Sequence, residues 1–300
     1  MPDCIDLHCH STASDGRARP EELIAKAKAI GLRALALTDH DTVAGLEAFS
    51  AAGRASGIET VPGVEVSAES KKGTMHILGL LVNPAHASFK EFLGQLAAGR
   101  KVRNPQIVDK LCELGLKLTM EEVELEAGVK DDGPGGGAID KSVGRPHIAA
   151  VLIKKGYVKD KQEAFDKYLA KGAPAYFSRF TASPEESIRQ IHAAGGLAVL
   201  AHPHYLSSDA AELEQLVGKL KEAGLDGIEV FYSTHTREQT ALSQKLAQQF
   251  DLVPSGGSDF HGEQGRSGVS VELGSGIERN LAIPYSILEG LKARQRQVHG

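Results

Sequence analysis

The sequence predicts an α/β fold in which about seven strand–helix units close into a barrel interrupted by a small helical insertion. Two observations lead there. Short runs rich in Val, Ile and Leu recur along the chain, most of them followed by an amphipathic helical pattern. Between about residues 89 and 170 that alternation stops, and only helical patterns remain. Strands alternating with helices form parallel βα units, and a barrel of such units routinely reaches 300 residues as one domain.

The strand-like runs are 4-CIDLHCH-10, 34-ALALTDH-40, 59-ETVPGVEV-66, 74-TMHILGLLV-82, 197-LAVLAHP-203, 227-GIEVFYS-233 and 252-LVPSGGSDF-260. Helix boundaries between them carry chemical signals. Ser183 precedes Pro184 and Glu186, which reads as a capping serine, a proline in the first turn and a glutamate at the third position. Gly195 and Gly196 can close that helix in a left-handed cap. Glu21 and Glu22 favour the positive end of another helix, and Gly31 ends it. Patterns such as 105-PQIVDKLCELG-115, 147-HIAAVLIKKG-156 and 161-KQEAFDKYLAKG-172 fill the intervening stretch. A barrel domain is therefore expected at 1–88 and 171–300, with a helical subdomain at 89–170. The glycine-rich stretch 133-GPGGG-137 has no preceding strand and no following GK[ST], so it reads as a loop and not as a phosphate cradle.

With 41% hydrophobic and 24% charged residues the chain can bury a sizeable core. A formal net charge of -5 argues against duplex DNA as a partner, because duplex binding favours basic surfaces. A small phosphorylated substrate stays open, since bound cations invert the potential of an acidic pocket. The three cysteines, Cys4, Cys9 and Cys112, form no CxxC pair and read as reduced. No basic segment followed by an apolar run opens the chain, and no apolar stretch approaches membrane-spanning length. A cytoplasmic protein with no membrane partner is expected.

The 12 histidines carry the functional signal. In 6-DLHCH-10, Asp6, His8 and His10 alternate onto one face of a strand. Other runs contribute Asp39, His40 and Asp41, then Glu65, His76, His202 and His204, and finally Asp259 and His261. In a parallel barrel the C-terminal strand ends meet at one mouth. So many imidazoles and carboxylates converging there would repel or stay unsatisfied unless they hold cations. Asp6 and Asp39 read as partners that orient histidines. His86, His192, His235 and His299 read as surface or capping residues without acidic partners. Glu229, in an apolar strand with no histidine neighbour, reads more as a structural residue than a functional one.

The set DLHCHS, TDHD, GVE, AHP and GSDFH, in order from residue 6 to residue 261, resembles the PHP family, named for polymerase and histidinol phosphatase. The resemblance implies a distorted (β/α)7 TIM-like barrel holding three divalent metal ions. It implies one metal on His8, His10, Glu65 and Asp259, and a second on Glu65, His76 and His202. The third would lie on Asp15, His40 and His261, Asp15 standing where many relatives have histidine. The short insertion together with 142-SVGRPH-147 resembles the branch of nucleoside 3',5'-bisphosphate phosphatases and of enzymes that trim the 5' ends of short RNAs.

The implied chemistry is metal-assisted hydrolysis, with a water acidified between two ions bridged by Glu65 attacking phosphorus in line. The oxygen-rich donor set favours Mn over Zn or Fe. Arg145, His147, Arg179 and His204 are candidates for binding substrate phosphate. His204 and His261 are candidates for protonating the leaving alcohol, beside Glu65 as the bridging catalytic carboxylate. The substrate expected is a nucleotide, most simply the 3'-phosphate of a nucleoside 3',5'-bisphosphate. The alternative is a 5'-3' exoribonuclease acting on short single-stranded RNA, with Arg100, Lys101, Arg103, Lys154 and Lys155 lining a groove. An idle metal-binding interaction module is the remaining reading, and the nearly complete ligand set speaks against it. Amidohydrolase barrels also open with His-x-His, but they use a lysine where this chain offers Glu65.

Overall fold

A computed structural model describes residues 3–70, 75–129, 141–262 and 270–300. The 133–137 stretch lies outside the described residues. The order of elements is β1 (Cys4–Asp6), α1 (Pro20–Ile30), β2 (Ala34–Leu37), α2 (Leu46–Ser56), β3 (Glu59–Ala68) and β4 (Met75–Leu80). Four helices follow, α3 (Ala87–Glu113), α4 (Met120–Glu126), α5 (Arg145–Lys154) and α6 (Lys161–Ala164), the last running into a π-helical turn at Phe165–Leu169. The chain then continues through α7 (Pro184–Ala193), β5 (Leu197–Leu200), α8 (Ala210–Glu222), β6 (Gly227–Tyr232), α9 (Arg237–Gln249), β7 (Val253–Gly257), β8 (Ile283–Pro284) and α10 (Ser286–His299).

The strands form one sheet in the order β7-β6-β5-β4-β3-β2-β1-β8. It curls until β1 meets β7: the Leu7 amide donates to Gly256 O at 3.1 Å, and Cys9 bridges Phe260 in parallel. At the other end of this seam β8 pairs antiparallel with Cys4 and Ile5. The result is a nearly closed barrel, and the seven expected strands are all present. Gly257 makes the seam possible. A Cβ there would sit 2.3 Å from the Cβ of His8 and 2.4 Å from its backbone nitrogen.

One expectation needs correction. The strands are not all parallel, because β4 runs antiparallel to both β3 and β5. The reversal explains His76. It lies at the start of β4, not its end, yet the reversed direction brings that start to the mouth where its neighbours finish.

Ile5, Leu7, Val61, Leu78, Leu80 and Val199 belong to one apolar cluster built on the strands, while α3, α7, α8 and α9 bury a second against β3 to β6. The predicted helix ends hold. Ser183 Oγ accepts the Glu186 amide at 3.1 Å, and Gly31 closes α1 at φ 78°. Helix α3 is longer than the 105–115 pattern suggests, continuing unbroken through Pro105. Its first half (Phe89, Phe92, Leu93, Leu96) packs with the barrel helices. Its second half (Ile107, Val108, Leu111) joins a separate cluster with α4 and α5. One helix thus ties the helical segment to the barrel. Among the described residues no helix is long and apolar enough to cross a membrane.

Candidate active site

Glu65, fully buried on β3, is the hub of the mouth. Its Oε2 lies 3.1 Å from His10 Nε2, 3.5 Å from His8 Nε2 and 3.0 Å from His40 Nδ1. Its Oε1 lies 2.6 Å from His76 Nδ1 and 2.9 Å from His202 Nε2. Five imidazoles, two following β1 and one each at β2, β4 and β5, surround one carboxylate. Asp259 Oδ1 adds a second acid 3.3 Å from His8 Nε2 and 3.1 Å from His10 Nε2. Asp15 Oδ1, on the loop after β1, reaches His261 Nε2 at 3.1 Å, and Asp15 Oδ2 stands 3.8 Å from His40 Nε2.

Three groups have ligand atoms all within 4.8 Å of one another: His8, His10, Glu65 and Asp259; His10, Asp15, His40 and His261; and His40, Glu65 and His76. All nine residues expected as ligands are therefore brought together. The groups overlap more than expected, with His10 and His40 each touching two, and His202 joins the last through Glu65. His8 Nε2, His10 Nε2 and Glu65 Oε2 are buried and make no hydrogen bond of acceptable geometry among the described residues. Buried imidazole and carboxylate atoms that converge with no hydrogen-bond partner fit cations. Nitrogen and oxygen donors without thiolate suit divalent metal ions.

The electrostatics point the same way. Burial drives His40 down to about 3, so it presents a neutral lone pair. Burial also pushes His8 down, but the charges of Glu229, Asp259 and Glu65 outweigh it and carry the imidazole well above its ordinary value. Against the same burial, the Asp259 and Glu65 carboxylates raise His10 to about 9. Burial pushes Glu65 up, yet His40, His76 and His8 hold it well below the usual carboxylate range. A site that would otherwise gather protons is one in which divalent cations can replace them.

A further layer orients these groups. Glu229 is buried and its Oε1 is 3.0 Å from His8 Nδ1, while its Oε2 accepts the His202 amide at 2.7 Å. A carboxylate can only accept there, so Nδ1 donates and Nε2 of His8 keeps its lone pair for the mouth. Glu229 thus stands in the site, contrary to the structural reading. Tyr232 donates its hydroxyl to Asp259 Oδ2 at 2.7 Å, leaving Oδ1 toward the histidines. Asp39 does not orient His40. It accepts from the Ser11 and Ser14 hydroxyls at 2.6 and 2.5 Å, holding the loop that carries Asp15. Asp6 accepts from the Ser258 and Gly274 amides at 2.9 and 2.8 Å, which ties the barrel seam and orients no imidazole. Of the histidines set aside, His192 does have an acidic partner, Asp226 Oδ2 at 2.7 Å, far from the mouth.

Known proteins with this pattern are numerous. The PHP domain model matches residues 6–122. A 3',5'-nucleoside bisphosphate phosphatase of Chromobacterium violaceum is 37% identical over 264 residues, 87% of this chain and 89% of its own. A 5'-3' exoribonuclease of Haemophilus influenzae is 36% identical over 278 residues, 93% of this chain and 96% of its own. The chain belongs to the PHP family. A solved structure from Bifidobacterium adolescentis, assigned as a metal-dependent phosphoesterase, superposes with a TM-score of 0.80 at 28% identity, covering 97% of this chain and 96% of its own. This PHP chain is a hydrolase of phosphate esters.

Beside the PHP ligand cluster a cavity of about 630 Å³ opens, lined by Asp15, His40, His76 and His202 and also by four arginines, Arg100, Arg103, Arg145 and Arg179. Arg100 Nε and Nη2 meet Asp41 Oδ2 at 2.9 and 2.5 Å, and Arg179 Nη2 meets the same oxygen at 3.0 Å. Burial pushes Asp41 up, but Arg100 and Arg179 hold it well below the usual carboxylate range. Arg145 Nη1 donates to Leu169 O at 2.9 Å in the π-helical turn, and its guanidinium lies 5.6 Å from the Phe165 and Tyr176 rings. Arg103 donates to Asn104 Oδ1 at 2.7 Å. Burial, then Arg100, Arg145 and Arg179, lower it to about 8, the mark of crowded guanidiniums.

Arg145 and Arg179 line this cavity, whereas two other candidates do not. His147 Nδ1 accepts the Gly144 amide at 3.1 Å, capping α5 away from the cavity lining. His204 Nε2 lies 3.0 Å from Gln239 O and 3.1 Å from Ser243 Oγ on α9, so it faces away from the ligand cluster. The physical reason is the left-handed bend at His202 followed by the 3-10 turn Pro203–Tyr205, which turns His204 toward α9. Nor do the basic residues of the helical segment form one groove. Lys154 pairs with Glu126 and Lys155 with Glu122 on α4, whereas Arg100 and Arg103 face the cavity. The Arg100/Arg103 spacing of three on one helix is a legible signal for a shared face.

Proposed function

We propose that the chain hydrolyses phosphate monoesters of nucleotides, and that its preferred substrate is a nucleoside 3',5'-bisphosphate that loses its 3'-phosphate. The single observation that carries this reading is the arginine set beside the ligand cluster. A phosphate being cleaved is served by the cluster itself. Four guanidiniums whose one ion-paired carboxylate among the described residues is Asp41 leave positive charge for a second, uncleaved phosphate. The Chromobacterium relative, named for that substrate, supports the same reading.

In this reading three divalent ions, preferably Mn, with Zn or Fe as the alternatives, would be held by the overlapping groups. One is assigned to His8, His10, Glu65 and Asp259, one to Glu65, His76 and His202, and one to Asp15, His40 and His261. Such ions supply acidified water and positive charge for the phosphoryl oxygens. The chain's own residues do the rest. Glu65 spans two groups and fixes their separation. Arg145 and Arg179 hold the uncleaved phosphate. His261 spends Nδ1–H on Asp259 O at 2.8 Å, so only its Nε2 faces Asp15, which suits a ligand better than a proton donor. The pairing of Lys154 and Lys155 with α4 gives no support to an RNA groove. The net charge of -5 supports the reading that duplex DNA is not a partner, and the protein is placed in the cytoplasm as the sequence reading has it.

Phosphate release with added Mn, compared across 5'-nucleotides, 3'-nucleotides and 3',5'-bisphosphates, tests the proposal. The bisphosphate should be turned over with the highest kcat/KM. No release from any of them by metal-bearing protein overturns the proposal, and stepwise release of mononucleotides from short RNA in their place selects the exoribonuclease.

A further inference from the structure

We propose that Tyr205 is the platform on which the substrate's nucleobase stacks, a specificity element that rests on the nucleotide reading above. Five aromatic side chains line the cavity: Phe165, Tyr176, Phe177, Tyr205 and Tyr232. Four are committed elsewhere. Phe165 and Tyr176 flank the Arg145 guanidinium, and Phe177 packs on the apolar cluster of the helical segment. Tyr232 is buried with its hydroxyl on Asp259. Tyr205 alone of the five is exposed, at 49%.

Its exposure is built in. Tyr205 ends the short turn that begins at Pro203, directly after His202, whose own backbone sits at φ 29°. The Tyr205 ring lies 5.1 Å from the His202 ring and edge-on to Tyr232 at 5.9 Å, and its hydroxyl is 3.4 Å from Thr234 Oγ1. One side of the ring is therefore backed by protein while the rest is open. A rigid aromatic with an open surface is what sequence-tolerant base stacking uses.

The placement suits a nucleotide. The rings of His40, His76 and His202 form a row, with spacings of 4.9 and 5.1 Å. Asp41, next to His40 in the chain, holds Arg100 and Arg179 on its carboxylate, and the Tyr205 ring neighbours that of His202. A ribose over that row can direct one phosphate to the ligand cluster, the other to the arginines and its base to Tyr205.

The test compares wild type, Tyr205→Ala and Tyr205→Phe, each loaded with Mn. The substrates are a nucleoside 3',5'-bisphosphate and the abasic tetrahydrofuran 3',5'-bisphosphate, which keeps both phosphates and lacks the base. Loss of a stacking partner should raise KM for the nucleotide about 5- to 150-fold in the alanine variant. KM for the abasic compound and bound metal by elemental analysis should stay within about twofold, and phenylalanine should restore the nucleotide KM. An unchanged nucleotide KM, or an equal rise on the abasic compound, overturns the assignment of Tyr205 alone. Failure of wild type to hydrolyse either compound overturns the nucleotide reading and this proposal with it.

Discussion

Glu229→Gln is the most informative substitution, because it changes one charge and almost no volume at a fully buried position. The carboxylate accepts two donors, His8 Nδ1 at 3.0 Å and the His202 amide at 2.7 Å. Glutamine has one acceptor oxygen. If that oxygen keeps the His202 amide, its NH2 faces His8 Nδ1 and two donors collide. Relief comes when His8 shifts its proton to Nε2, and a protonated Nε2 cannot ligate. If the oxygen instead keeps His8, the buried His202 amide loses its acceptor, with a desolvation penalty of about 1–3 kcal/mol. Either way the first group of ligands is weakened. Loss of such an orienting partner lowers metal affinity about 10- to 100-fold, or about 1.4–2.8 kcal/mol at 1.4 kcal/mol per factor of ten. Titration calorimetry of apo protein with Mn reads this directly, and circular dichroism verifies that the variant is folded. Mn affinity within twofold of wild type in a folded variant would refute the tautomer reasoning.

Two further substitutions probe the geometry from outside the ligand set. His204→Ala should change kcat/KM less than about threefold, since its imidazole is turned to Gln239 and Ser243; steady-state phosphate release measures it, and a loss of a hundredfold would restore His204 to the chemistry. Gly257→Ala should destabilise the fold by more than about 2 kcal/mol in denaturant melts, because its methyl would meet the His8 backbone where β1 and β7 join; a wild-type midpoint would show that the seam can part without cost.

How much was legible follows from where the information lies. The strands were readable because each apolar run is local, and the ligands because barrel chemistry collects at strand ends. Direction was not readable. The run around His76 looks the same read forwards or backwards, so nothing local shows that β4 is reversed. His204 shows the limit of motif reading, since the single residue Pro203 and the turn it opens separate it from His202 and send it to another surface. Glu229 does carry a local signal. An acid flanked by Ile228 and Val230 in a buried strand must have a partner, but His8 is 221 positions away and nothing in the sequence names it. Arg103 could be grouped with Arg100 by helical spacing, whereas its meeting with Arg145 and Arg179 depends on how α3 and α5 cross the mouth.

The strand ends themselves show what the site costs. Asp41, His202 and Asp259 hold left-handed backbone at φ 54°, 29° and 56°, each directly at a ligand or next to one. Such conformations cost about 1–3 kcal/mol apiece for residues with a Cβ. Glycine would remove that strain and with it the side chain. These positions keep their carboxylates and imidazole because the left-handed turn is what bends the chain at the tip of β5 or β7, or just past β2, and sends the side chain back over the barrel mouth. The strain is tolerated because hydrogen bonds pin the turns: the Asp41 amide donates to Glu65 O at 3.0 Å and the Asp259 amide to His8 O at 2.8 Å. Those acceptors are the backbones of Glu65 and His8, both members of the groups able to hold a cation. The ligand positions therefore brace one another through the main chain, so the cluster is held in shape before any cation arrives.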